Sequence, residues 1–164
     1  MERPKVVVDA SVCAKWYLDE EYSDKARALR DEFVRGQLAI TVPSLLFYET
    51  LNVLRYSRLF DQKELAMAAD SMSKYGFEAW EPRREVYLEA ARLSLAHDIT
   101  VYDAAYVALS EHLPAPFYTV DRKLLDRFPK RARHIRVFKE LGKVFGTDRE
   151  RSKRFTEADR GEDR

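Results

Sequence analysis

Two short apolar runs, each ending on an aspartate, constrain the fold of this chain more than any other feature. Val6-Val7-Val8 stops at Asp9, and Tyr118-Thr119-Val120 stops at Asp121. A β-branched run this short and continuous reads as a strand buried on both faces, the habit of a parallel sheet. Between the two runs, helical stretches alternate with further short strand candidates at Leu38 to Val42 and Phe77 to Trp80. Strands that alternate with helices build a parallel sheet covered on both faces. Ligands of such sheets sit at the carboxyl ends of the strands. Asp9 and Asp121 are therefore expected at one edge of one sheet.

Apolar spacing predicts helices over residues 10–18, 23–35, 43–59, 61–75, 83–97, 102–113 and 121–128. Ser23-Asp24 is expected to cap the second of these and Gly36 to end it. Pro43 is expected to open the third, at a first-turn position that proline tolerates. Gly76 should stop the fourth. Ile135 to Phe138 is expected as a last strand, with a final helical turn or two over 139–145. From Thr147 onward the chain is almost wholly polar and is expected to be a disordered tail. The expected organisation is one domain over 1–146 and a charged tail over 147–164. A length of 164 residues with 46% hydrophobic content suffices for one core.

Several classes of function are disfavoured. Cys13 is the only cysteine, so it forms no intramolecular disulfide and joins no Cys/His ligand set. It lies in an apolar stretch and is expected to be an inert, buried thiol. His97, His112 and His134 show no metal-ligand spacing. No apolar stretch approaches the ~20 residues that cross a bilayer. The charged start MERPK leads straight into a strand, unlike a signal peptide. A cytoplasmic location without a membrane partner is expected. Net charge is +1, so nucleic-acid binding would need a local basic patch. Residues 122–136, RKLLDRFPKRARHIR, carry seven Lys or Arg against Asp126 alone. A solvated helix and loop is the competing reading of that run.

Two more acids stand out. Glu49 lies inside the most apolar helix, with Leu45, Leu46, Asn52 and Val53 at helical spacing. That face is expected to be largely buried, where a lone carboxylate needs a cationic partner. Asp103 starts the helix DAAYVALS, whose Ala104, Ala105 and Ala108 permit close packing. Each acid also has a plainer explanation. Asp9 and Asp121 suit helix N-caps, Asp103 suits a helix dipole, and Glu49 suits an ion pair across a helix contact. Converging at one sheet edge, however, four acids would repel one another without a cation. Oxygen ligands without His or Cys suit Mg²⁺ or Mn²⁺ rather than zinc.

The motifs VVVDASV, PSLLFYETLNVL, YDAAYVALS and FYTVDRKLL, in this order, resemble a PIN domain. Within that family the chain is similar to the VapC toxins of VapBC toxin–antitoxin pairs, over about residues 5 to 140. The resemblance implies a three-layer α/β/α sandwich with a short, mostly parallel central sheet. It implies a Mg²⁺- or Mn²⁺-dependent endoribonuclease that leaves a 5′-phosphate and a 3′-hydroxyl. The family's acids carry over to Asp9, Glu49, Asp103 and Asp121, as catalytic residues and metal ligands. Ser11, Asn52 and Thr119 match polar positions that support them from behind. Lys15 and Arg122, next to the motifs, are possible RNA contacts, with an ordinary surface charge as the competing reading. Trp16 and Tyr17 suit base stacking or a subunit contact, with core packing as the alternative. The implied partners are the RNA substrate, a small antitoxin that blocks the acidic pocket, and a second copy in a homodimer. Two other readings stay open: a PIN-domain nuclease of RNA processing without a toxin role, and a non-catalytic assembly or signalling module.

Overall fold

In the computed structural model, residues 2–141 are described. Five short strands form one sheet: β1 (Lys5–Val8), β2 (Ala39–Pro43), β3 (Glu78–Trp80), β4 (Phe117–Thr119) and β5 (Ala132–His134). Their order is β3-β2-β1-β4-β5, and every pairing is parallel. The sheet is thus wholly rather than mostly parallel. Val6 to Val8 are buried because β1 is central and covered on both sides.

Among the described residues, seven α-helices surround the sheet: α1 (Ala10–Cys13), α2 (Ser23–Val34), α3 (Leu46–Ser57), α4 (Gln62–Lys74), α5 (Arg84–His97), α6 (Val101–His112) and α7 (Arg122–Arg127). Helix α1 packs on α2 and α3, α3 packs on α4, α5 packs on α6, and α7 packs on β5. Right-handed crossovers, the rule for parallel strands, would put the first four and the last three on opposite faces. The direction of winding reverses between β1 and β4. Such a switch point opens a crevice at the strands' carboxyl ends. The main core runs from Val7 and Ile40 through Leu109 and Phe117 to Ile135 and Phe138. A smaller cluster of Ala14, Leu18, Leu54 and Ala68 packs beneath α3 and α4.

Several local expectations hold. Gly36 and Gly76 end their helices at φ +74° and +76°, a backbone region open to glycine without strain. The helix expected over 61–75 is present as α4, and it carries an unexpected capping box in which Asp61 and Glu64 exchange hydrogen bonds at 2.8 and 2.9 Å. Cys13 is buried. Trp16 is a core residue whose indole N–H donates to the Ala26 carbonyl at 2.9 Å.

Other boundaries differ. Pro43 closes β2 opposite Trp80, and α3 begins three residues later at Leu46. Proline at a strand end leaves no ladder donor missing, so both positions suit it. Ser23 does not cap α2. Its hydroxyl donates to Leu18 O at 2.7 Å, and the N-cap is Tyr22 in a left-handed conformation. The last strand is Ala132–His134, three residues earlier than expected, and Ile135–Val137 form a 3₁₀ turn. Ile135 and Phe138 are apolar because they fill the core, not because they join the ladder. The helix over 10–18 is α-helical only to Cys13 and continues as a 3₁₀ turn to Trp16. Lys139 and Glu140 are not helical, and residues 142–164, with the expected tail, lie outside the described residues.

Candidate active site

Asp9 leaves β1 at its carboxyl end and caps α1. Its Oδ1 accepts the Ser11 and Val12 amides at 3.1 and 3.3 Å and the Ser11 hydroxyl at 2.5 Å. Its Oδ2 accepts the Thr119 hydroxyl at 2.5 Å. Both hydroxyl protons therefore point at one carboxylate. Each hydroxyl oxygen then serves as an acceptor for the neighbouring strand end. Ser11 Oγ takes the Val120 N–H at 3.1 Å, and Thr119 Oγ1 takes the Asp121 N–H at 3.0 Å. This lattice ties β1 to β4 at the switch point.

Asp9 is buried at 7% exposure, and burial raises its carboxyl to about pH 6. Hydrogen bonds from Ser11, Thr119 and Val12 oppose that rise, and the charge of Asp121 adds to it. Asp121 caps α7 through Leu124 N at 3.1 Å. Asp103 stands in the first turn of α6, whose N-cap Thr100 accepts the Asp103 N–H at 3.0 Å. Partial burial raises the Asp103 carboxyl, a hydrogen bond to Thr100 lowers it, the Asp121 charge raises it, and Lys123 lowers it. The plain cap and dipole readings of these acids are thus correct, and they do not compete with a site. A cap fixes where a carboxylate stands; it leaves part of its acceptor capacity free.

Glu49, in the first turn of α3, is half-buried. The buried side of α3 is instead Leu46, Thr50 and Leu54, while Asn52 and Val53 are exposed. The expectation that Glu49 shares a largely buried face with these two is corrected. Helical spacing gave the stripe, but the neighbouring elements cover only one side of it. Glu49 meets a residue that sequence reasoning missed. The Tyr106 hydroxyl donates to Glu49 Oε1 at 2.6 Å. Tyr106 is buried and stacks on Phe117 of β4, with ring planes 5° apart. Its position three residues after Asp103 on the same helix was the available signal. Burial raises the Glu49 carboxyl, the Tyr106 bond opposes this, and Asp103 adds to it.

The four acids thus form a chain of neighbours in which Asp9 senses Asp121, Asp121 is felt by Asp103, and Asp103 by Glu49. None of the four makes an ion pair among the described residues. They line one edge without closing up: no three of His, Cys, Asp and Glu meet as a metal-ligand cluster among the described residues. The donor chemistry nevertheless fits a hard divalent cation, being all carboxylate with one buried, uncompensated member, Asp9. Ser11 and Thr119, expected to support the acids, both donate to Asp9. Asn52 shares an open surface hollow with Glu49 and Arg55 rather than a bond to either. Lys15 is buried and pairs with Glu20 at 2.9 Å. Arg122 is exposed at the start of α7, beside Asp121.

Comparison with known proteins places the fold in a family. The PIN domain family model matches residues 6–131. Ribonuclease VapC3 of Pyrobaculum aerophilum is 35% identical over 130 residues, covering 76% of this chain and 95% of that protein. The crystal structure of PAE2754 from Pyrobaculum aerophilum superposes with a TM-score of 0.59 at 25% identity, over 83% of this chain and 93% of that one. Mycobacterium tuberculosis VapC20, described as a sarcin-ricin loop cleaving toxin, matches in fold with a TM-score of 0.58 at 15% identity, over 83% and 98%. A wholly parallel five-stranded sheet with its switch point between β1 and β4, and a family match that spans nearly all of the first four strands, lead to one assignment: the chain belongs to the PIN-domain family.

Proposed function

We propose that this protein is an endoribonuclease of the VapC toxin kind, hydrolysing RNA phosphodiester bonds with Mg²⁺ or Mn²⁺. The observation that carries the reading is Asp9, a buried carboxylate with no cationic partner, braced on both oxygens and adjoined by Asp121. Its kinship with a protein named as a ribonuclease supports the reaction class. Asp9, Asp103, Asp121 and Glu49 would hold the cation. When bound, a divalent ion neutralises charge on the phosphate and makes water a stronger acid.

The chain's own residues do the rest. Ser11 and Thr119 hold the Asp9 carboxylate in one orientation, so none is lost to rotation when the substrate phosphate arrives. Tyr106 fixes Glu49 by Oε1 and leaves Oε2 as an acceptor for a proton from the attacking water. Arg122, exposed beside Asp121, is placed to meet a phosphate oxygen. The acidic edge also suits capture by a cationic segment of a small antitoxin protein, and a homodimer is the expected assembly. No helix among the described residues is long and apolar enough to cross a membrane, and a cytoplasmic site of action is part of the proposal.

The test uses purified protein and end-labelled RNA, with Mg²⁺ or Mn²⁺ and with excess EDTA, beside Asp9→Asn. Cleavage should require the metal and fall by more than about a hundredfold in the variant. Equal cleavage by the variant, or full activity in EDTA, ends the proposal.

A further inference from the structure

The basic run at residues 122–136 is not consumed by the acidic site, and it follows the outer edge of the sheet from α7 through β5 to the 3₁₀ turn. Arg122, Lys123 and Arg127 lie on α7, Lys130 and Arg131 on the turn after it, Arg133 on β5, and Arg136 in the following 3₁₀ turn. All are exposed except Arg131, which is half-buried. Helix α7 packs against β5, and β5 is an outer strand of the sheet.

Two observations separate this face from ordinary surface charge. First, none of its seven cations makes an ion pair among the described residues, whereas the pairs that do form all lie elsewhere. Second, the charge is partitioned. The run holds seven Lys and Arg against one acid, and the rest of the chain holds twenty-two against twenty-seven. A net charge of +1 therefore conceals a strongly positive face on an otherwise negative molecule.

Its position adds direction. The face starts at Asp121, at the carboxyl edge, where Lys123 is close enough to lower the Asp103 carboxyl. From there α7 carries it about 9 Å down the side of the sheet. Charges on an edge strand also deter pairing with foreign strands. That explains Arg133 alone, since the other six cations lie off the strand.

We infer that α7, the turn after it and β5 form a phosphate-binding surface that holds the RNA strand running away from the scissile bond. The inference rests on the ribonuclease reading of the acidic edge. It assigns the substrate's reach beyond that edge to residues outside the acidic motifs, and it makes phosphate, not base identity, what this face recognises.

The experiment compares the full chain with the triple variant Arg127→Gln, Arg133→Gln, Arg136→Gln. Binding of a fluorescein-labelled RNA of about 20 nucleotides is followed by anisotropy in EDTA, across a salt series. The variant should bind about tenfold more weakly or worse, and its slope of log affinity against log salt should shrink by about 2. Circular dichroism checks that it is folded. In Mg²⁺ or Mn²⁺ its KM for long RNA should rise with kcat unchanged, and cleavage of a trinucleotide too short to reach the face should not change. An unchanged affinity and salt slope overturns the inference. So does unchanged RNA binding with new aggregation, which would make the face an edge guard, or preference for an acidic peptide over RNA. Binding in EDTA without cleavage in metal overturns the ribonuclease reading and leaves the surface standing. Normal cleavage with unchanged affinity in the variant does the reverse.

Discussion

Asp9 is the one buried acid of the four, braced on both carboxylate oxygens. Its folded carboxyl titrates near pH 6 rather than at its ordinary 3.8, because burial outweighs the donors around it. Between those values the folded chain holds a proton that the unfolded chain has lost. Stability in metal-free buffer therefore falls as pH rises from about 4 through 6, with the full cost of up to about 3 kcal/mol present above pH 6. Asp9→Asn should melt several degrees above the native chain at pH 7 in EDTA, and the gain should vanish near pH 4. A variant that melts lower at pH 7 would show that the charged form is not disfavoured. Tyr106 makes a second residue-scale test. Tyr106→Phe removes one buried hydrogen bond to a carboxylate, at about 1.5–3 kcal/mol. Calorimetry should show Mn²⁺ binding weakened several-fold, with cleavage reduced in step. Unchanged Mn²⁺ affinity would leave Tyr106 a packing residue only.

At the scale of elements, helix starts do the positioning. All four acids sit at a helix cap or within a first turn: Asp9 on α1, Glu49 on α3, Asp103 on α6 and Asp121 on α7. The positive end of each helix tolerates the charge, which lets carboxylates gather where bare ones would disperse. Helix α6 depends on Thr100, whose hydroxyl oxygen accepts the Asp103 N–H. Thr100→Ala should cost about 1 kcal/mol, a drop of about 2–4 °C in Tm for a domain of this size. Thr100→Ser should recover most of it. A loss of activity in Thr100→Ala that exceeds the loss of folded protein would tie the cap to the placement of Asp103, and an intact Tm would refute the cap's importance.

The whole molecule decides which edges and faces matter. Strand order β3-β2-β1-β4-β5 puts the β1 and β4 ends side by side, though 108 residues separate Ser11 from Thr119. Only this adjacency lets two hydroxyls share one carboxylate. It also leaves β5 and α7 on the outside, so that their cations meet solvent instead of acids. The near-zero net charge is thus the sum of two opposed regions.

Much of this was legible from the residues in order. Val6-Val7-Val8 and Phe117 to Val120 declared buried parallel strands, because only a strand covered on both faces tolerates so continuous an apolar run. Their terminal aspartates then had to share an edge. Gly36 and Gly76 marked helix ends, because their backbone requirement is local. What depended on distant partners could not be read this way. Ile135 and Phe138 looked like a strand, since apolar character does not say whether a residue joins a ladder or fills a core from a 3₁₀ turn. The face of α3 that carries Glu49 and Asn52 looked buried, since periodicity gives a stripe but not what covers it. The bond from Tyr106 to Glu49 joins residues 57 apart on separate helices. Sequence alone determined where the acids stand along the chain. The hydrogen bond from α6 to α3, and the pairing of β1 with β4, decided which of them are buried and braced.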